Sequence, residues 1–165
     1  MSLLSFVLEN TPENWNYISY YSNNYELFEI DEYTTEYKNI KQYFNDTIIK
    51  NLYRVQNPYQ YGRFLIRKEM TGIYAEEIVL HGIIDEDDLK IALKYTCDYR
   101  RYKSTKGVDN NKHPCFYYSF ADLKDSIRKY NTIENYLYVL VLTKLINPLK
   151  TQCDYYIKYY AKIQI

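Results

Sequence analysis

The run Ile78-Val79-Leu80-His81-Gly82 limits what this chain can fold into more than any other stretch. Three consecutive large apolar residues lack the in–out alternation of a half-solvated strand, so the run reads as a strand buried on both faces. It ends on a histidine and a glycine. Taken alone, the pair reads as a hydrogen-bonded histidine at a strand end followed by a turn glycine. A second reading stays open, because a residue without a side chain lets a ligand come close to the backbone N–H and C=O. The other histidine, His113, precedes Pro114 in a polar stretch and reads as a solvated loop residue.

Around this strand the chain reads as alternating short elements. Tyr25 to Ile30 is a short strand. Thr34 or Thr35 caps a helix with Tyr37, Ile40 and Phe44 on one face. Ile48 to Val55 is β-rich and leads into Asn57-Pro58, a cap followed by proline at the first helical position. Tyr61, Phe64 and Leu65 form the apolar stripe of that helix, which Gly62 weakens by about 1 kcal/mol. Asp85 caps a further helix, with Glu86, Asp87 and Asp88 in the first turn and Leu89, Ala92 and Leu93 inside. Residues 95 to 114 read as a long polar loop holding the basic run Arg100-Arg101-Tyr102-Lys103, which is first of all a solvated face. Cys115 to Ala121 reads as a strand, and Asp122 as the cap of a helix aligning Leu123, Ile127 and Tyr130. Tyr136 to Leu145 and Asp154 to Tyr160 are the last strands. Strands dominate the second half, which favours α+β over a doubly wound sheet.

Composition narrows the class. A chain of 165 residues fits one domain, 1–165, that buries roughly 70% of its unfolded surface. Tyrosine supplies 23 residues; its ring fills a core while its hydroxyl requires a partner. The negative mean hydropathy, −0.54, therefore does not signal disorder. Lys plus Arg and Asp plus Glu stand at 21 each, so no global field recruits nucleic acid as a main partner. Cys97, Cys115 and Cys153 lie far apart without a CxxC, which argues against zinc and against a disulfide framework. The first residues lack a basic n-region, and no apolar run approaches about 20 residues. The expected location is intracellular, cytoplasmic or nuclear, with no membrane partner.

No GxGxxG, GxxxxGK[ST], GxSxG or HExxH pattern occurs. What does occur is an ordered series. Pro12-Glu13-Asn14-Trp15 and Glu36-Tyr37 precede Arg54-Val55-Gln56-Asn57-Pro58. Val79-Leu80-His81-Gly82, Cys97-Asp98-Tyr99-Arg100 and Phe120-Ala121-Asp122-Leu123 follow. Tyr130 and Asp154-Tyr155-Tyr156-Ile157-Lys158-Tyr159 complete it. This order resembles the catalytic domain of the poly(ADP-ribose) polymerase superfamily, the diphtheria-toxin-like ADP-ribosyltransferases. The likeness is greatest to the mono-ADP-ribosylating branch without a helical regulatory domain, and it covers nearly the whole chain.

The resemblance implies an ADP-ribosyltransferase fold, with two packed antiparallel-rich sheets and short flanking helices around an NAD cleft. It implies NAD as substrate, no metal, and a protein or nucleic-acid acceptor. Carried over, His81 bonds the nicotinamide ribose, the Gly82 backbone pairs with the carboxamide, and Tyr130 stacks on the nicotinamide ring. Departures from the pattern shape the remaining expectations. Ile83 replaces the threonine after His-Gly, and the glycines before the Y-F-A strand give way to Lys112-His113-Pro114-Cys115. Ser119 stands where the family has a tyrosine. Strand alternation puts Tyr117 and Ser119 on one face, so a one-residue bulge is needed to bring Tyr118 into the pocket opposite His81. The carboxamide-binding serine falls on Ile127, with Ser126 beside it. The acidic residue of the last strand aligns with Tyr155, while Asp154 faces the other way. A phenol near pKa 10 activates an incoming hydroxyl poorly. The expected activity is thus transfer of a single ADP-ribose unit; the alternative is an inactive relative kept as a binding domain.

Overall fold

The computed structural model describes residues 3–16, 25–96, 115–128, 136–147 and 151–164. Its described residues build a mixed α+β architecture around one five-stranded antiparallel sheet. In chain order the elements are α1 (Leu3–Asn10), β1 (Glu26–Glu29), α2 (Thr35–Lys41), β2 (Ile49–Gln56), α3 (Pro58–Thr71), β3 (Glu76–Ile83), α4 (Glu86–Tyr95), α5 (Phe120–Arg128), β4 (Tyr136–Leu145) and β5 (Tyr155–Gln164). The strand order is β1-β2-β5-β4-β3, which leaves β1 and β3 as the edges. A second packed sheet, expected from the resemblance, is not formed by the described residues.

Local chemistry places the helix starts where the sequence predicts them. The Thr34 hydroxyl accepts from the Tyr37 N–H, Asn57 Oδ1 from the Gln60 N–H, and Asp85 Oδ1 from the Asp87 and Asp88 N–H groups. Pro58 sits in the first turn of α3, and Gly72 closes that helix in the left-handed region at φ 68°. The segment 115 to 121 departs from expectation. It makes only an isolated bridge, Leu80 to Tyr117, and α5 starts at Phe120. Ser119, not Asp122, caps it: Ser119 Oγ accepts from the Asp122 N–H at 3.2 Å. A serine three residues before an acidic residue is itself a helix-start signal, and it overrides the β preference of the aromatic run before it.

The sheet is covered on both faces, as the apolar run predicts. Leu80, Val139, Val141, Ala161 and Ile163 pack with Phe44 and with Phe120, Leu123 and Ile127 of α5. On the other face Val79, Ile83, Leu140, Leu142, Tyr155, Ile157 and Tyr160 pack with Leu89, Ala92 and Leu93 of α4. A bulge in β5 lets one strand serve both faces. Val141 pairs with Tyr159 and Leu142 with Ile157, so Lys158 is the extra residue. Past it the side-chain parity reverses, and Tyr155 and Ile157 share a face with Tyr160. At one end, α3 and the segment after α1 close a third cluster of Phe64, Leu145 and Tyr156 with Trp15 and Tyr61.

Candidate functional site

The site lies at the outer edge of β3, where three elements meet. Along an antiparallel strand, alternate residues direct both backbone groups to the same neighbour. Leu80 exchanges both of its bonds with Tyr117, each at 2.8 Å, on the edge away from β4. Gly82, two residues on and paired in register with Val139, directs its N–H and C=O to that same outer edge. Among the described residues none bonds to them.

Continuing the Tyr117 pairing would bring residue 115 opposite Gly82 and close this edge. The carbonyl of Cys115 is instead engaged by His81 Nδ1 at 3.0 Å. A carbonyl only accepts, so Nδ1 carries the proton and Nε2 is the acceptor nitrogen of the neutral ring. Among the described residues no backbone bond from residue 115 reaches Gly82. The ring is 1% exposed and meets Phe116 edge-on at 6.0 Å. Burial pushes its pKa down to about 4 despite the opposing hydrogen bond to Cys115. The imidazole is neutral at pH 7 and is no general acid there.

Gly82 is needed for packing as well as for access. A Cβ built on it meets Ile127 Cδ1 at 2.8 Å and Leu123 Cδ2 at 3.1 Å, so α5 lies against the strand here. Gly82→Ala therefore destabilises the protein by about 1 kcal/mol through overpacking, since only flexible side-chain ends must give. Combined with Ile127→Val, which removes the nearest methyl, the loss falls below the sum of the two single changes. Urea unfolding of the four proteins checks this; strict additivity would show that residue 82 does not press on α5.

The structure does not bring all the other expected site residues together. Ser126 lies on α5 beside Ile127 and accepts from the Tyr117 hydroxyl at 2.6 Å. Tyr117 itself is the residue the motif match passed over, although strand alternation already put it on the face of Ser119. Ser119 is the helix cap, a structural role. Tyr118 does not enter a pocket opposite His81. It is 70% exposed and donates to Glu77 Oε1, four residues back along β3, because no bulge precedes Phe120 and the chain turns into α5 instead. Tyr155 is not opposite His81 either. In the register it lies level with Lys144 and Glu77, and its hydroxyl donates to the Thr96 carbonyl at 2.9 Å. Phe116 stands between the two rings, 5.1 Å from Tyr155. The β5 residue in line with His81 through Leu140 is Tyr160. Asp154 faces away from the site, ion-paired to Arg67 at 2.7 Å. Tyr130, His113, Cys97, Lys112 and the run Arg100 to Lys103 lie outside the described residues.

The arrangement offers an adjacent N–H and C=O at an open strand edge, backed by α5. This is the complement of a ligand carrying a C=O and an N–H side by side, such as a primary carboxamide. Among the described residues no group of three potential metal ligands occurs, and no helix is long and apolar enough to cross a membrane. The sequence matches no protein-family model and no curated protein.

Proposed function

We propose that this chain is an NAD-using domain of the mono-ADP-ribosyltransferase type, with the nicotinamide carboxamide held by the backbone of Gly82. The observation that carries the reading is the outward-directed N–H and C=O of Gly82, to which no described residue bonds, beside a His81 that engages the Cys115 carbonyl. In the reaction the bond between the nicotinamide nitrogen and the ribose anomeric carbon breaks. Nicotinamide leaves neutral, and an acceptor hydroxyl gives its proton to water as its oxygen bonds that carbon. An oxocarbenium-like transition state needs orientation more than a strong base, and two hydrogen bonds to the amide fix the leaving ring. Transfer stops at one unit in this reading, because Tyr155 stands where an acidic residue would activate a second ribose, and its hydroxyl donates to the Thr96 carbonyl.

A specific observation favours a second reading, binding without turnover: Tyr118 and Tyr155, the two hydroxyls expected to act on substrate, are both engaged elsewhere. Two measurements separate the outcomes. In calorimetry, nicotinamide binds and nicotinic acid does not, since its carboxylate has no N–H for the Gly82 carbonyl and sets like partial charges together. Equal binding of the two, or of neither, overturns the site. Incubation with labelled NAD then gives a protein-bound label of one ADP-ribose unit that His81→Ala abolishes. Label on neither protein with NAD still bound selects the second reading, and chains of ADP-ribose refute the role given to Tyr155.

A further inference from the structure

A cavity of about 240 Å³ opens between the sheet and the segment that follows α1, and it shares no residue with the Gly82 edge. Its wall is aromatic. Trp15 lies 5.1 Å from Tyr61, and Tyr61 meets Tyr156 edge-on at 5.2 Å. Its floor is polar but already satisfied. Arg54 is bidentate to Glu36 and also donates to Gln56, while Tyr159 donates to Glu36. Glu76 contributes a carboxylate at one side, yet its oxygens take the Thr143 hydroxyl at 3.1 Å and the Lys68 ammonium at 3.3 Å.

The polar groups left over include one cation and two further N–H or O–H donors, beside the Asn14 Oδ1 acceptor. Among the described residues, the Lys158 ammonium, the Tyr61 hydroxyl and the Trp15 indole N–H have no hydrogen-bond or ion-pair partner. Lys158 is the bulged residue of β5, so the irregularity that reverses the strand's parity also sets this cation at the cavity. An ammonium without a counter-charge among the described residues, with N–H and O–H donors beside it, calls for an acceptor of negative charge, and flat rings call for a flat body. The volume lies below the roughly 300 Å³ at which pockets begin to take drug-sized ligands, which excludes a dinucleotide. We propose that this cavity binds a monocyclic aromatic carboxylate, its ring against Trp15 and Tyr61 and its head on Lys158.

The chain has a single tryptophan, and it lies in this wall, so its emission reports occupancy directly. Benzoate, the probe, changes that emission saturably, whereas benzamidine, the same ring with a cationic head, does not. Lys158→Gln weakens benzoate by about tenfold while Lys158→Arg retains it, the loss expected for one charge-assisted contact. Lys158 is exposed, and a thermal midpoint equal to that of the wild type confirms that both variants fold. No saturable change with benzoate, equal affinity for benzamidine, or unchanged affinity in Lys158→Gln overturns the proposal.

Discussion

Unfolding free energy falls by about 3 kcal/mol as the pH drops from 6.5 to 4, and His81→Gln lacks this loss. The cause is burial. The folded imidazole has its pKa pushed down to about 4, against an ordinary value of 6.5 in the unfolded chain. Between those two values the unfolded state binds a proton that the folded state refuses, so acid favours unfolding. Above 6.5 neither state binds it and the contribution is constant. Below 4 both do and the loss levels off. Glu36 and Glu77 also have lowered pKa values and add losses of their own in acid, so the measurement is the difference between wild type and variant across urea titrations at stepped pH. A variant whose pH profile parallels the wild type would show that His81 is solvated.

The second large effect lies across the sheet, at Arg54 and Glu36. Their side chains are 10% and 20% exposed and make a bidentate pair, at 2.8 Å through Nε and 2.7 Å through NH2. Asn14 and the Tyr159 hydroxyl add two more hydrogen bonds to the same carboxylate. Burial alone would raise the Glu36 pKa, but the bonds from Arg54, Tyr159 and Asn14 and the Arg54 charge hold it below the usual carboxylate value. Glu36→Ala strips a buried guanidinium of its counter-charge and costs about 3 kcal/mol. Adding Arg54→Met to it recovers about 1 kcal/mol, because the orphaned charge goes with its partner. A double variant less stable than Glu36→Ala would show that Arg54 is held by Gln56 and Asn16 rather than by the pair.

That network bears on the ordered motifs that carry the family resemblance. Arg54 and Glu36 lock β2 to α2. Gln56 accepts from the Asn16 N–H and donates to the Asn16 carbonyl, tying the Pro12–Trp15 segment to β2. Asn57 caps α3 and donates to the Leu93 carbonyl at the end of α4. Each of these motif residues does a structural task, and each task would persist whether or not the site turns over substrate. Order and spacing of these residues are therefore accounted for by the packing of this fold and do not by themselves argue for a reaction.

The element plan was readable from residue order because its determinants are local. Capping residues at Thr34, Asn57 and Asp85 act over three or four positions, and the run from Ile78 to Leu80 declares a doubly covered strand without reference to its partners. The fate of residues 116 to 119 was not readable in this way. Two local signals compete there, an aromatic β-forming run and a serine cap, and the packing of α5 against Gly82 resolves them in favour of the helix. The facing of Tyr155 depended on a bulge at Lys158, which is defined by the pairing of β5 with β4 and leaves no mark on its own neighbours in sequence. The pair His81–Gly82 divides along the same line. Chain order alone placed His81 and Gly82 at the end of a buried strand. Only the tertiary fold buried the imidazole against the Cys115 carbonyl and turned the glycine backbone outward, because which strand pairs with β3, and on which edge, is a long-range fact.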